Sequence, residues 1–218
     1  VLHEIKRLRF KMVHTIEQEK SYFDRQLLLN KKELSYTARR PPHWDNLIND
    51  VGFFVGQNEN IDTIRDLGCG TGALYQVVSD GLEGGNYYGY DRSEYAIELA
   101  KENYSKDSFF VFDLNDLDEN FIKGDNEIFY MAAVLDVLPN ANKVLKKICS
   151  LGFKNILLHR MNIDDQPSRY SEYMAFDVMP TYAFYHNRQD LIDIVSENYE
   201  YEIYQNDGHN YNMRLIAK

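Results

Sequence analysis

Residues 64–75 read IRDLGCGTGALY, three glycines in five positions with Asp66 just ahead of them. Glycine reaches positive φ without a Cβ clash, so such a cluster lets the backbone turn sharply and approach a ligand closely. An apolar run at 63–67 precedes the turn and a helical pattern at 73–82 follows it. A strand that ends in a glycine turn and opens a helix belongs to an open α/β sheet, where ligands collect at the carboxyl ends of the strands.

The flanking texture agrees. Short apolar runs predict strands at 63–67, 86–90, 108–112, 127–132, 155–159, 199–204 and 211–216, and helical spacing predicts helices at 73–82, 93–104, 142–150 and 188–197. QNDGHN joins the last two strands and holds an Asp-Gly turn signal, so five parallel strands are followed by an antiparallel pair. Ahead of this, Ile5, Leu8, Met12 and Ile16 predict a helix over 2–29; RRPPHW breaks it, and a second helix fits 44–55. The expected architecture is α/β: a doubly wound, mostly parallel seven-stranded sheet over 58–218, preceded by a helical arm at 1–57. A chain of 218 residues has room for that one domain and its arm.

What ligand does the turn want? Gly68, Gly70 and Ala73 formally satisfy the dinucleotide pattern G-x-G-x-x-[G/A]. Asp66 argues against it, because a carboxylate beside a pyrophosphate is repelled, whereas a ligand with an ammonium group welcomes it. Asp91 ends the second strand in YYGYDRS and can accept both hydroxyls of a ribose. Asp113 ends the third strand in FVFDLND and can accept from an exocyclic adenine amine, with Leu114 against the ring. One molecule carries an ammonium, a ribose diol and an adenine amine together: S-adenosylmethionine.

With DLGCGTG, YGYDRS, FVFDLND and the later stretch AAVLDVLP in place, the chain resembles the class I S-adenosylmethionine-dependent methyltransferases over about residues 61–218. The resemblance implies a Rossmann-like sheet whose seventh strand is reversed, with S-adenosylhomocysteine as product. It implies that Gly68 and Gly70 line the methionine end, Asp91 holds the ribose and Asp113 the adenine. Asp66, Cys69, Arg92, Leu114 and Ala132 complete the expected cofactor set. In related methyltransferases a preceding helical segment closes over the cofactor, which gives Arg39 or Arg40 the methionine carboxylate. A weaker similarity, in AAVLDVLPNANKVLKKI, ILLHRMNI and YHNRQDLI, is to bacterial methyltransferases of surface-polysaccharide and glycan biosynthesis.

Methyl transfer to a hydroxyl needs alignment, exclusion of water and often removal of a proton. His159, expected at the end of the fifth strand, is the first choice of base because its ordinary pKa lies near neutrality. Asp136 is a second catalytic candidate or a helix anchor. Arg160 either holds an anionic substrate or pairs with an acid of this chain. The segment 160–187 is expected to be a long irregular insertion whose Tyr182, Tyr185 and His186 wall an acceptor, together with Tyr36 and Trp44 of the arm. No residue set has metal-ligand spacing; Asp164 and Asp165 read as a solvated turn.

Charge narrows the partners. Residues 1–57 hold ten Lys/Arg against seven Asp/Glu, and the remainder fourteen against twenty-seven. An acidic body repels nucleic-acid phosphates, which excludes bulk polynucleotide binding. No apolar run approaches the ~20 residues of a membrane span, and two unpaired cysteines suit a reducing cytoplasm. The leading function is O-methylation of a small molecule or glycan. The alternatives are N-methylation of a protein or RNA, for which no NPPY-type tetrapeptide follows the fourth strand, and a catalytically silent cofactor-binding partner subunit. The sequence carries no signal for oligomeric state.

Overall fold

The computed structural model describes residues 15–35, 42–57, 61–81, 85–121, 124–138, 140–205 and 210–218. The arm contributes α1 (Ile16–Leu34) and α2 (Pro42–Gln57). Thr15 caps α1: its hydroxyl accepts from Gln18 N while the Gln18 amide accepts from Thr15 N, which satisfies two end groups at once. Acidic residues in its first turn and Lys31 and Lys32 in its last complement the helix dipole. The part of the expected first helix at 2–14 lies outside the described residues, as does the Asp-Gly turn of the closing hairpin.

The sheet follows. Its strands are β1 (Thr63–Leu67), β2 (Asn86–Asp91), β3 (Phe109–Val111), β4 (Glu127–Ala132) and β5 (Asn155–Met161), then β9 (Tyr199–Gln205) and β10 (Tyr211–Ala217). Their order is β3-β2-β1-β4-β5-β10-β9. β10 is antiparallel to both of its neighbours and every other pairing is parallel, so one reversed strand sits among six. α3 (Ala73–Gly81), α4 (Glu94–Asn103), α5 (Ala141–Ser150) and α6 (Arg188–Val195) cover its faces.

Side chains alternate across each strand and divide the core in two. Ile128 and Tyr130 of β4 and Leu157 of β5 face α2, α3 and α4, packing with Trp44, Leu47, Phe54 and Val77. Phe129, Met131, Ile156 and Leu158 face α5 and α6, packing with Leu145, Ile148, Leu191 and Val195.

The 160–187 insertion is not irregular. It forms β6 (Ile163–Asp164), β7 (Arg169–Ala175) and β8 (Met179–Asn187), a small sheet in the order β6-β8-β7. The reason is visible in RYSEYMA and MPTYAFYHN: β-formers crowd both runs, Phe184 and His186 of the second are buried at alternate positions, and Tyr170 lies opposite Phe184 across the antiparallel pair. The tip turns through Phe176 (φ 50) and Asp177 (φ 59), closed by Val178 N donating to Ala175 O at 3.0 Å. Two positive φ values in a two-residue turn match the twist of a hairpin.

Candidate active site

The site is built at the carboxyl edge of β1, β2 and β3. Gly68 (φ 79) and Gly70 (φ 52) take conformations that side chains rarely adopt. A Cβ on Gly68 would strike Val134, and one on Gly70 would lie 2.5 Å from Gln26 Oε1. Gly68 N and Cys69 N both donate to Tyr90 O. Asp91 completes the clamp, one oxygen accepting from Gly70 N and the other from Ser93 N, each at 2.9 Å. Burial raises the Asp91 pKa, and these two backbone donors oppose the rise.

Asp66 lies deeper. Its Oδ2 accepts from the Tyr87 hydroxyl at 2.6 Å, and among the described residues no lysine or arginine pairs with it. Desolvation pushes its pKa up to about 7, with the charge of Asp91 adding and the Tyr87 bond opposing. A buried carboxylate without a cation, beside bare turn backbone, suits a ligand that brings a positive charge. Asp113 ends β3 and accepts from Asn115 N and Nδ2, both at 2.8 Å, with Leu114 partly buried against the core. Ala132 closes β4, and Arg92 is exposed just after Asp91.

α1 lies against this turn. Gln26 Oε1 accepts from Thr71 N and Asn30 Nδ2 donates to Thr71 Oγ1, both at 3.3 Å. Arg25 Nη1 donates to Phe176 O at 2.5 Å, and the Tyr22 and Phe176 rings lie 5.2 Å apart, so the hairpin tip rests on the same helix. Burial pushes the Tyr22 phenol up to about 12, with Tyr173 and Asp91 adding and Arg160 opposing. The sequence reading looked for the covering contacts at 36–44 and missed Tyr22, Gln26 and Asn30. Their signal is a polar residue at every fourth position of one helix face. Tyr36, Arg39 and Arg40 lie outside the described residues. Trp44 is buried, its indole donating to Glu33 Oε2 at 3.1 Å, and faces the core instead of an acceptor.

The expected base is not where the reaction needs it. β5 runs on to Met161, and the alternation that sends Leu157 towards α2 sends His159 there too. His159 is 2% exposed, and its Nε2 lies 2.6 Å from Asp50 Oδ2 of α2. Asp50 also accepts from Arg214 Nε at 2.7 Å and Nη2 at 2.5 Å, and from the Tyr204 hydroxyl. Burial lowers the His159 pKa against the pull of Asp50; the bonds from His159, Tyr204 and Arg214 hold Asp50 low despite its burial. The ring is a neutral imidazole donating Nε2–H to a carboxylate whose counter-ion is Arg214.

A second histidine is withdrawn in the same way. His186 is 0% exposed; its Nε2 contacts Asp136 Oδ1 and its Nδ1 contacts Asn142 Oδ1, each at 3.2 Å. Asp136 accepts from Asn162 N at 2.8 Å, and its pKa is raised by burial and held back by His186. This pair fastens β8 to the β4–α5 connection, so His186 offers no surface to an acceptor. Tyr182 packs edge-on against Tyr170, and Tyr185 lies 4.7 Å beneath the Arg169 guanidinium; both are half-buried. Asp164 and Asp165 pair with Arg169 and Arg188. At the edge itself, Ala133 (φ 54), just past β4, and Arg160 (φ 59), the penultimate residue of β5, lie in left-handed backbone, with Ala133 N donating to His159 O at 2.9 Å. Strained residues at neighbouring strand ends mark a position held for use.

A family model described as a methyltransferase domain matches residues 58–207. No curated protein matches the sequence. Among solved structures, magnesium protoporphyrin IX methyltransferase (ChlM) from Synechocystis PCC 6803 with bound SAM is 16% identical at a TM-score of 0.59, covering 95% of this chain and 100% of that one. The PH0226 protein from Pyrococcus horikoshii OT3 is 17% identical at 0.59, covering 84% and 95%. The N-terminal domain of EvdMO1, solved in the presence of SAH and D-fucose, is 13% identical at 0.59, covering 89% and 96%. At such identities the likeness is one of fold.

Proposed function

The chain belongs to the methyltransferase-domain family and is a class I S-adenosylmethionine-dependent methyltransferase; on that footing we propose that it methylates a hydroxyl oxygen of a small molecule or glycan. The observation that carries the reading is the run of carboxylates at three successive strand ends, Asp66, Asp91 and Asp113, around a turn whose glycines leave bare backbone. Asp66 takes the ammonium, Asp91 the ribose diol, and Asp113 with Leu114 the adenine. Gly68, Cys69, Gly70 and Ala132 supply the wall. When bound, S-adenosylmethionine supplies a methyl group on a sulfonium, whose departure needs no acid.

The remaining work belongs to this chain. α1, with Gln26 and Asn30 on the turn, acts as the cover that excludes water, within an arm spanning 1–57. The insertion at 160–187 acts as the acceptor wall: Tyr173 is 47% exposed beside Arg160, and an aromatic face suits a sugar ring. The EvdMO1 domain solved with SAH and D-fucose lends that class support. With both nearby histidines engaged by carboxylates, alignment and desolvation are the chain's contributions, and the hydroxyl proton leaves to solvent at the mouth. Among the described residues no helix is long and apolar enough to cross a membrane.

A screen with methyl-labelled cofactor tests this, offering sugars, sugar nucleotides and phenols beside peptides and RNA. Label on an oxygen of the first group is expected. Label only on peptide or RNA nitrogen overturns the acceptor class, and calorimetry showing NAD binding without S-adenosylhomocysteine binding overturns the cofactor.

A further inference from the structure

Four of the described arginines pair with a carboxylate. Arg65 pairs with Glu127 at 2.7 Å, Arg169 with Asp164 at 2.6 Å, Arg188 with Asp165 at 3.5 Å, and Arg214 with Asp50 at 2.5 Å and Glu202 at 2.7 Å. Arg160 has none within 4.0 Å among the described residues, in a chain of net charge −10. Arg25 and Arg92 also lack one within that distance, but Arg25 donates to Phe176 O at 2.5 Å and Arg92 adjoins Asp91 ahead of α4. Arg160 stands exposed at the carboxyl end of β5 with neither a carboxylate within 4.0 Å nor an adjoining one in sequence.

Its setting points the same way. Arg160, the penultimate residue of β5, lies in left-handed backbone, its N–H donating to Asn212 Oδ1 at 3.1 Å, one residue past the Ala132–His159 register pair. The guanidinium is within electrostatic reach of Tyr22 of α1, Tyr130 of β4 and Tyr173 of β7. Asp136, the acid within that reach, is occupied by Asn162 N and His186. A planar fork of donors within electrostatic reach of the phenols of Tyr22 and Tyr173 is chemistry for an oxyanion.

We propose that the acceptor is anionic: Arg160, with Tyr22 and Tyr173 beside it, holds a carboxylate or phosphate close to the hydroxyl that is methylated. This rests on the methyltransferase reading and narrows its acceptor. A sugar acid and a sugar phosphate share that chemistry, and the test separates them.

The experiment first saturates the protein with S-adenosylhomocysteine, whose binding is measured by itself and so checks the cofactor reading alone. Glucuronate, glucose 1-phosphate and glucose, then benzoate and benzyl alcohol, are titrated at low salt by calorimetry or protein-observed NMR. At least one charged probe is expected to bind about tenfold to hundredfold more tightly than its neutral partner, the range for bonds to a charged group. Arg160→Gln should erase that preference without lowering S-adenosylhomocysteine affinity, and Arg160→Lys should restore part of it. Glucuronate against glucose 1-phosphate identifies the anion. If only benzoate binds, the anion site stands and the glycan class falls. Equal binding of charged and neutral probes, no binding by any charged probe, or a preference surviving Arg160→Gln overturns the proposal.

Discussion

Asp66 is the residue whose chemistry is most exposed to measurement. Desolvation raises its folded pKa from 3.8 to about 7. Between those values the folded state keeps a proton that the unfolded chain has lost, so in the ligand-free protein this group makes stability fall as pH rises from about 4 to 7. An incoming ammonium needs the ionised form. Below pH 7 binding therefore releases a proton, and affinity for S-adenosylhomocysteine should climb with pH by up to about tenfold per unit, levelling above 7. Calorimetry in buffers of differing ionisation heat reads the proton directly. Asp66→Asn should weaken binding at pH 8 and abolish the pH slope; a slope that persists in the variant places the titration elsewhere. The positive φ of the glycines and the place of the three aspartates at the sheet edge were legible because they are local features. A turn that needs positive φ and a carboxylate that ends a strand are both written in adjacent letters.

At the scale of elements, α1 holds the glycine turn by two 3.3 Å hydrogen bonds and the hairpin tip by one more, with few buried residues beneath it. It is held besides by exposed bonds, Lys31 to Asn103 at 2.6 Å and Tyr95 to Asp24 at 2.7 Å, and solvent-exposed bonds over so little buried apolar surface give local opening at low free energy. Amide exchange should show residues 20–30 of α1 becoming protected when S-adenosylhomocysteine binds, and Gln26→Ala should reduce that protection while leaving the sheet's exchange unchanged. Exchange across α1 that ignores the ligand would make the helix a fixed wall. The seven strands and the antiparallel pair that closes them were legible from the alternation of apolar runs with helical segments and the Asp-Gly signal between the last two. The hairpin of the insertion was not, although its period-two pattern lies in the sequence. Length and aromatic density drew the reading towards a loop, and cross-strand pairing such as Tyr170 with Phe184 emerges only when two half-strands are set side by side.

In the whole molecule, Asp50 joins parts of the chain more than a hundred residues apart: His159 of β5, Tyr204 of β9 and Arg214 of β10 all converge on one carboxylate of α2. No local pattern announces this, because a histidine near the end of a parallel strand reads alike whether it faces a ligand or a packed helix. Only the parity of β5 and the position of α2 decide. The network makes α2 part of the sheet's core, together with Leu47 and Phe54, so Asp50→Ala should cost about 1–3 kcal/mol by leaving the buried His159 and Tyr204 donors without an acceptor, while Arg214 keeps Glu202. The same argument fixes the behaviour of His159. Its folded pKa is depressed, so the folded state refuses a proton that the unfolded chain accepts below about 6.5. Stability from this pair is present above that pH and is lost as pH falls through it. His159→Gln keeps a donor for Asp50 but cannot titrate, and urea unfolding between pH 5 and 8 should show a flatter acid slope than the parent. Methyl transfer to an identified acceptor should stay within a few-fold of the parent across the same range. A loss of roughly 10²-fold or more in rate, with S-adenosylhomocysteine binding intact, would instead return His159 to the chemistry as a general base reached through an opening of α2.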